Sequence, residues 1–122
     1  MAISFKKIVW LGIRTAKFSE SCNFYEQLLG LKPLHSESGF RAYDLPDGDR
    51  IELFSDDYPT HQHFRAGQVV GFLVDDIKAT RAEMETMGIE FLSAVDGTPG
   101  KTQWSHFRGP DGNVYEITER KE

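Results

Sequence analysis

Apolar positions along the chain fall into two successive series that predict the same order of elements. A strand-like run, FKKIVWLGIR, is followed by a helical pattern, SESCNFYEQLLG, and then by further strand-like runs. The second half repeats this order with QVVGFLVDD, IKATRAEMETMG and more strand-like runs. Each half therefore predicts a β-α-β-β-β module, and the polar segment 56–66 is predicted to link the two.

Each half closes on nearly the same eight residues, PDGDRIEL from Pro46 and PDGNVYEI from Pro110. Pro-Asp-Gly is typical of tight turns, so each phrase predicts a hairpin between the last two strands of its half. The seventh residue is a glutamate in both phrases, Glu52 and Glu116. The repeat therefore predicts one carboxylate at an equivalent place in each module.

The ends of the two predicted helices carry recognisable signals. Ser19 is the predicted N-cap of the first helix, and Asp75 or Asp76 that of the second. Gly30 and Gly88 follow the helical patterns, where a left-handed residue is favoured.

Composition narrows the function without naming it. The net charge is −5 with a pI of about 5.3, which disfavours binding to a nucleic-acid backbone. Cys22 is the single cysteine, so no disulfide forms within the chain, and it is predicted to pack as a small hydrophobe. No apolar run is long enough for a membrane span or a signal peptide, so the predicted location is cytoplasmic.

Several strings in the right order resemble the vicinal oxygen chelate superfamily, which includes glyoxalase I, bleomycin-resistance proteins and extradiol dioxygenases. These strings are SCNFYEQLLGL (21–31), VVGFLVDDIKATRAEMETMGIEF (69–91) and GPDGNVYEI (109–117). The resemblance implies an α+β fold in which two tandem βαβββ modules form a curved mixed-sheet cup.

The same resemblance implies a domain organisation and an assembly. Residues 1–122 would form one domain, with modules at about 1–55 and 67–122. A small molecule would bind in the cup between the modules, and two chains would form a homodimer.

Family members that use a metal take one ligand from the first strand and one from the last strand of each module. The last-strand places match Glu52 and Glu116, whereas the first-strand places fall on Trp10 and Val69. Neither Trp nor Val is a usual metal ligand. The resemblance therefore implies no confident cofactor, and the alternative is a divalent ion held by both glutamates and a third ligand such as His106.

Alternation along the strands adds candidate ligand-binding residues. Trp10 and Gly12 share one face, and Gly71 is the counterpart of Gly12. Trp104 and His106 share a face of a late strand. Contact with a ligand is one interpretation of these residues, and ordinary core packing or a surface position is the other. His106 and Glu116 are also the candidates for catalysis.

Other polar residues receive weaker predictions. Alternation places a group near the rim or wall of the cup: Arg14, Arg41, Tyr43 and Arg50. The pair His61 and His63 resembles a chelate, but exposed bystanders on a polar loop are the favoured interpretation.

The favoured function is binding of a small molecule, aromatic or cationic, without the four-ligand metal site, as in the bleomycin-resistance branch. The alternative is a metal-dependent lyase, isomerase or transferase of the superfamily that uses Glu52 and Glu116.

Overall fold

The computed structural model describes residues 3–64 and 67–121, and the chain forms two compact units. The first unit is Trp10–Val69, and the second unit is Met1–Val9 with Val70–Glu122. The strands are β1 (Ile8–Thr15), β2 (Pro33–Glu37), β3 (Phe40–Asp44), β4 (Arg50–Ser55), β5 (Gly67–Leu73), β6 (Asp96–Gly97), β7 (Thr102–Arg108) and β8 (Val114–Arg120). The helices are α1 (Phe18–Asn23), continued by a π-helical turn (Phe24–Leu28), and α2 (Ile77–Thr86). This order confirms the α+β fold and the repeated βαβββ pattern.

The strands of the first unit pair in the order β2-β3-β4-β1. β1 runs parallel to β4, and the other neighbours are antiparallel, so the sheet is mixed. Glu52 on β4 lies between Gly12 on β1 and Ala42 on β3. Directly paired residues point to the same face of a sheet, so these three share a face.

The second unit repeats this pairing in the order β5-β8-β7-β6. β5 runs parallel to β8, and Glu116 on β8 lies between Gly71 on β5 and His106 on β7. Gly71 and Glu116 therefore occupy the positions of Gly12 and Glu52, while His106 replaces the alanine of the first unit.

The repeated phrases form the hairpin turns that the sequence predicts. In the first, the Leu45 amide donates to the Asp49 carbonyl (2.7 Å), and in the second the Gly109 amide donates to the Asn113 carbonyl (2.8 Å). The turn glycines, Gly48 and Gly112, have φ of 89° and 85°, which a residue with a Cβ adopts only with strain.

The helix ends match the sequence in part. The Asp76 side chain accepts from the Ala79 amide (3.0 Å), so the predicted cap of α2 is confirmed. The Ser19 cap is wrong, because α1 begins at Phe18 with Lys17 at its N-cap and no side-chain capping bond. After α1 the chain widens into the π-helical turn, where the Leu29 amide donates to the Phe24 carbonyl (3.1 Å).

A hydrophobic cluster fixes the helix of each unit to one face of its sheet. Cys22 packs with Tyr43 and Leu53 in the first unit, which confirms its prediction as a small core residue. Ile77 and Met84 of α2 pack with other core residues in the second. The opposite face, here called the helix-free face, carries the glutamates.

None of the helices within the described residues has the length and apolar character needed to cross a bilayer.

Candidate functional site

The helix-free face of the second unit brings together three residues that the sequence singles out. Gly71, Glu116 and His106 lie side by side on β5, β8 and β7. Nε2 of His106 is 3.0 Å from Oε2 of Glu116, and the two side chains are 1% and 5% exposed. The strand repeat thus produces an imidazole–carboxylate pair that is almost fully withdrawn from water.

Burial controls the protonation of this pair. Because the charged form of a carboxyl is poorly solvated there, burial raises the pKa of Glu116 to about 8, and a hydrogen bond from Thr118 acts in the opposite direction. Burial likewise lowers the pKa of His106 to about 4, with the charge of Asp96 opposing the shift. Between these values the pair as a whole carries one proton.

Thr118 is a member of this site that the sequence analysis missed. Its hydroxyl donates to Oε1 of Glu116 (2.5 Å). Thr118 lies two residues after Glu116 on the same strand, so alternation was the signal that could have found it. Both carboxyl oxygens of Glu116 therefore have a neighbour, one imidazole and one hydroxyl.

Trp104 lies on the same helix-free face as His106, as alternation predicts. The intervening Ser105 points to the helix side, where its hydroxyl accepts from Arg81 of α2 (3.0 Å). Gln103 and Gly97 are the paired residues of β7 and β6 beside it. Arg108 lies at the end of β7, where it donates to the Gly112 carbonyl of the hairpin turn (2.9 Å).

In the first unit, the indole of Trp10 lies against the strand carboxylate. Nε1 of Trp10 donates to Oε1 of Glu52 (3.0 Å). The ring also covers Gly12, where an added Cβ would lie 2.6 Å from Cζ2 of Trp10. Gly12 is therefore needed for this ring position, and ligand contact at Gly12 stays a prediction. Arg50 is more distant from Glu52 (3.9 Å) and bonds Asp44 instead (2.8 Å).

Arg14 shares a sheet face with Gly12, as alternation predicts for the wall of the cup, but it does not lie at the rim. Its side chain is buried, with 2% of the residue exposed. The guanidinium donates to five backbone carbonyls, those of Ser55, Tyr58, Thr60, His61 and Phe64, at 2.5–3.1 Å. The segment after β4 therefore wraps around this one cation. This role of Arg14 has no sequence signature, because backbone carbonyls are present at every residue.

Arg41 and Tyr43 do not line the helix-free face. Both donate to Oε2 of Glu26 in the π-helical turn, at 2.7 and 2.8 Å. Alternation on β3 separates them from Ala42, which faces the same way as Glu52. Their predicted place on the cup wall is therefore wrong, and they connect the sheet to its helix.

His61 and His63 are less exposed than bystanders on a polar loop would be. Both are half-buried, and their ring centroids lie 5.9 Å apart. His61 also stacks on Phe64 (6.0 Å), and its φ of 59° is left-handed. Two imidazoles thus lie close together on the segment that Arg14 holds.

Comparison with known proteins identifies the fold. A Mn(II)-bound glyoxalase from Novosphingobium aromaticivorans superposes with a TM-score of 0.77 at 21% identity, covering 99% of this chain and 42% of that one. A methylmalonyl-CoA epimerase from Streptomyces coelicolor, in complex with 2-nitronate-propionyl-CoA, gives 0.71 at 18% identity, covering 98% and 100%.

Sequence comparison adds a relative and a family. An uncharacterized protein, YwbC, of Bacillus subtilis (strain 168) is 28% identical over 129 residues, which cover 94% of this chain and 98% of that protein. The family model of the Glyoxalase/Bleomycin resistance protein/Dioxygenase superfamily matches residues 7–117. The chain belongs to the Glyoxalase/Bleomycin resistance protein/Dioxygenase superfamily.

Proposed function

We propose that the protein binds a small organic molecule on the helix-free face of the second unit, without the metal ion of the superfamily's four-ligand site. The observation that supports the metal-independent part is the Trp10 indole, which falls at the first ligand place by sequence resemblance and donates to Glu52, which falls at another. An indole N–H is a donor only and offers a metal no lone pair.

The remaining ligand places support the same conclusion. Val69, buried with 2% exposure, has no donor atom. Both oxygens of Glu116 already contact protein groups, the Thr118 hydroxyl and the His106 imidazole. Burial raises the pKa of Glu116 to about 8, so an ion bound there would first have to displace the carboxyl proton at neutral pH. The four family places therefore do not fit a divalent ion.

The second unit supplies groups for a ligand instead. The paired His106 and Glu116 can hold or move one proton at a buried face, and Gly71 beside them has no side chain to block the approach. A relative's bound 2-nitronate-propionyl-CoA supports the use of this fold for organic ligands. Ligand contact by the site residues, homodimerisation and a cytoplasmic location stay predictions.

Thermal shift measurements with a compound panel test the proposal. The panel contains neutral carbonyl compounds, aromatic compounds and aromatic cations, each run in EDTA and in Mn²⁺, Ni²⁺ or Zn²⁺. We expect a bound compound to raise Tm equally in all these buffers, because binding stabilises the fold by about 2.7 kcal/mol at about 100 times its Kd.

Matched variants make the result specific. Glu116→Gln should weaken the stabilisation, while Glu90→Gln, at a side chain that is 70% exposed, should leave it unchanged. Stabilisation that appears only with a divalent ion would contradict metal-independent binding. A full panel without any stabilising compound would contradict the binding function itself.

A further inference from the structure

The indole N–H of Trp104 has no hydrogen-bond acceptor in the part of the chain that the structure describes. Its Nε1 atom is enclosed, yet no hydrogen-bond acceptor lies within range of it among residues 3–64 and 67–121. Native proteins pair nearly all enclosed donors, and those left over call for an explanation. The other indole of the chain, Trp10, follows the rule by donating to Glu52.

The Trp104 ring lies against Gly97 of β6. Across the β6–β7 pair, a Cβ added to Gly97 would lie 2.8 Å from Cζ3 of Trp104. Gly97 also has a φ of 93°, so both the steric contact and the left-handed backbone disfavour a residue with a side chain there. Gly97 is also required by the Thr102 carbonyl oxygen, which is nearer than the ring, so the glycine gives the ring room but does not exist for it alone.

The unpaired donor lies on the face proposed to bind the ligand. Trp104 and His106 are alternate residues of β7, about 7 Å apart along the strand. Glu116 is the cross-strand partner of His106, and Thr118 that of Trp104. Trp104 and the His106–Glu116 pair therefore occupy neighbouring positions of one sheet face.

We propose that Trp104 donates its indole hydrogen bond to a neutral carbonyl oxygen of the ligand and so sets which molecules bind. This inference rests on the proposed function. The indole N–H requires an acceptor atom, and Asp96, whose charge acts on His106 on this face, favours a neutral acceptor such as a carbonyl oxygen over a carboxylate. Since Nε1 is enclosed, the atoms that cover it must move aside when the ligand enters.

Proton–nitrogen NMR tests the inference directly, because the chain has only two tryptophans and therefore two indole N–H signals. Trp10→Phe and Trp104→Phe assign them. In the ligand-free protein, the Trp10 proton should resonate downfield of the Trp104 proton, since only Trp10 donates to a carboxylate. A Trp104 proton with the downfield shift of a strong hydrogen bond would overturn the inference before any ligand is added.

Two probes of similar size then separate acceptors from other molecules. Cyclopentanone offers a carbonyl oxygen, whereas pyrrolidinium only donates. Cyclopentanone should move the Trp104 signal downfield, pyrrolidinium should not, and Trp104→Phe should weaken cyclopentanone binding roughly tenfold.

The outcomes distinguish this inference from the proposed function. If backbone signals of Gly71 and His106 respond to cyclopentanone while the Trp104 indole does not, the face binds ligands and the role of Trp104 is refuted. An unchanged affinity in Trp104→Phe refutes it as well. If cyclopentanone moves no signal of the second unit, the inference fails, and the compound panel decides separately whether the binding function fails with it.

Discussion

Replacing Arg14 with methionine is expected to lower the free energy of unfolding by about 3–5 kcal/mol, because several hydrogen bonds to a charged group, worth about 1.5–3 kcal/mol each, are lost together. Methionine fills much of the same space but donates nothing, so five carbonyls of the segment after β4 lose their shared donor. The guanidinium also stacks over Phe54 and Phe64, each 5.3 Å from the ring centroid. Urea denaturation followed by circular dichroism measures the loss.

Two further variants keep this prediction decisive. Arg50→Met removes a half-exposed arginine of β4 and should change stability by less than about 1 kcal/mol. Arg14→Lys keeps the charge but has three donors in place of five, so an intermediate loss is expected even if Arg14→Met does not fold. A loss in Arg14→Met no larger than in Arg50→Met would show that the segment does not depend on this cation.

The free energy of unfolding should fall by about 2 kcal/mol between pH 6.5 and 8 because of the His106–Glu116 pair. The pKa of Glu116 is raised from 4.5 to about 8, so above pH 4.5 the folded protein holds a proton that the unfolded chain has lost. The pKa of His106 is lowered from 6.5 to about 4, so below pH 6.5 the unfolded chain holds a proton that the folded protein lacks.

These two effects cancel between about pH 4.5 and 6.5, where both states bind the same number of protons at this pair. Above pH 6.5 only the glutamate effect remains, and stability declines until pH 8. Urea titrations across this range measure the slope. Glu116→Gln should remove the decline, and Glu90→Gln should keep it. An equal decline in wild type and Glu116→Gln would mean that Glu116 is ionised in the folded protein.

The fold was largely predictable, because both halves of the chain carry the same local sequence signals for turns and helix ends. The Pro-Asp-Gly turns, Gly30 and Gly88 depend on backbone conformations that few residues adopt, and both glycines have the positive φ expected at a helix end. Strand alternation also assigned Trp104 and His106 to one face. The start of α1 was missed, because Phe18, rather than the capping residue Ser19, begins the helix.

Strand alternation could predict which residues of the site share a sheet face, but not which of them contact one another. Alternation and the repeat identified Glu116. Its pairing with His106 depends on β7 and β8 being neighbours in a particular register, which cannot be read from the sequence. The same limit hid the bond from Trp10 to Glu52, which crosses 42 residues. Alternation placed Arg14 near the rim or wall of the cup, but its burial was not predictable, because its partners are backbone carbonyls of a segment with irregular structure.

Metal retention tests the central claim most directly. The purified protein is incubated with Mn²⁺, Fe²⁺, Ni²⁺ and Zn²⁺, washed exhaustively and weighed by native mass spectrometry beside Glu52→Gln, Glu116→Gln and a His61→Gln/His63→Gln variant. We expect all four proteins to retain far less than one ion per chain. About one ion per wild-type chain would contradict the account, and the variant that loses it would show whether the glutamates or the loop histidines hold the metal.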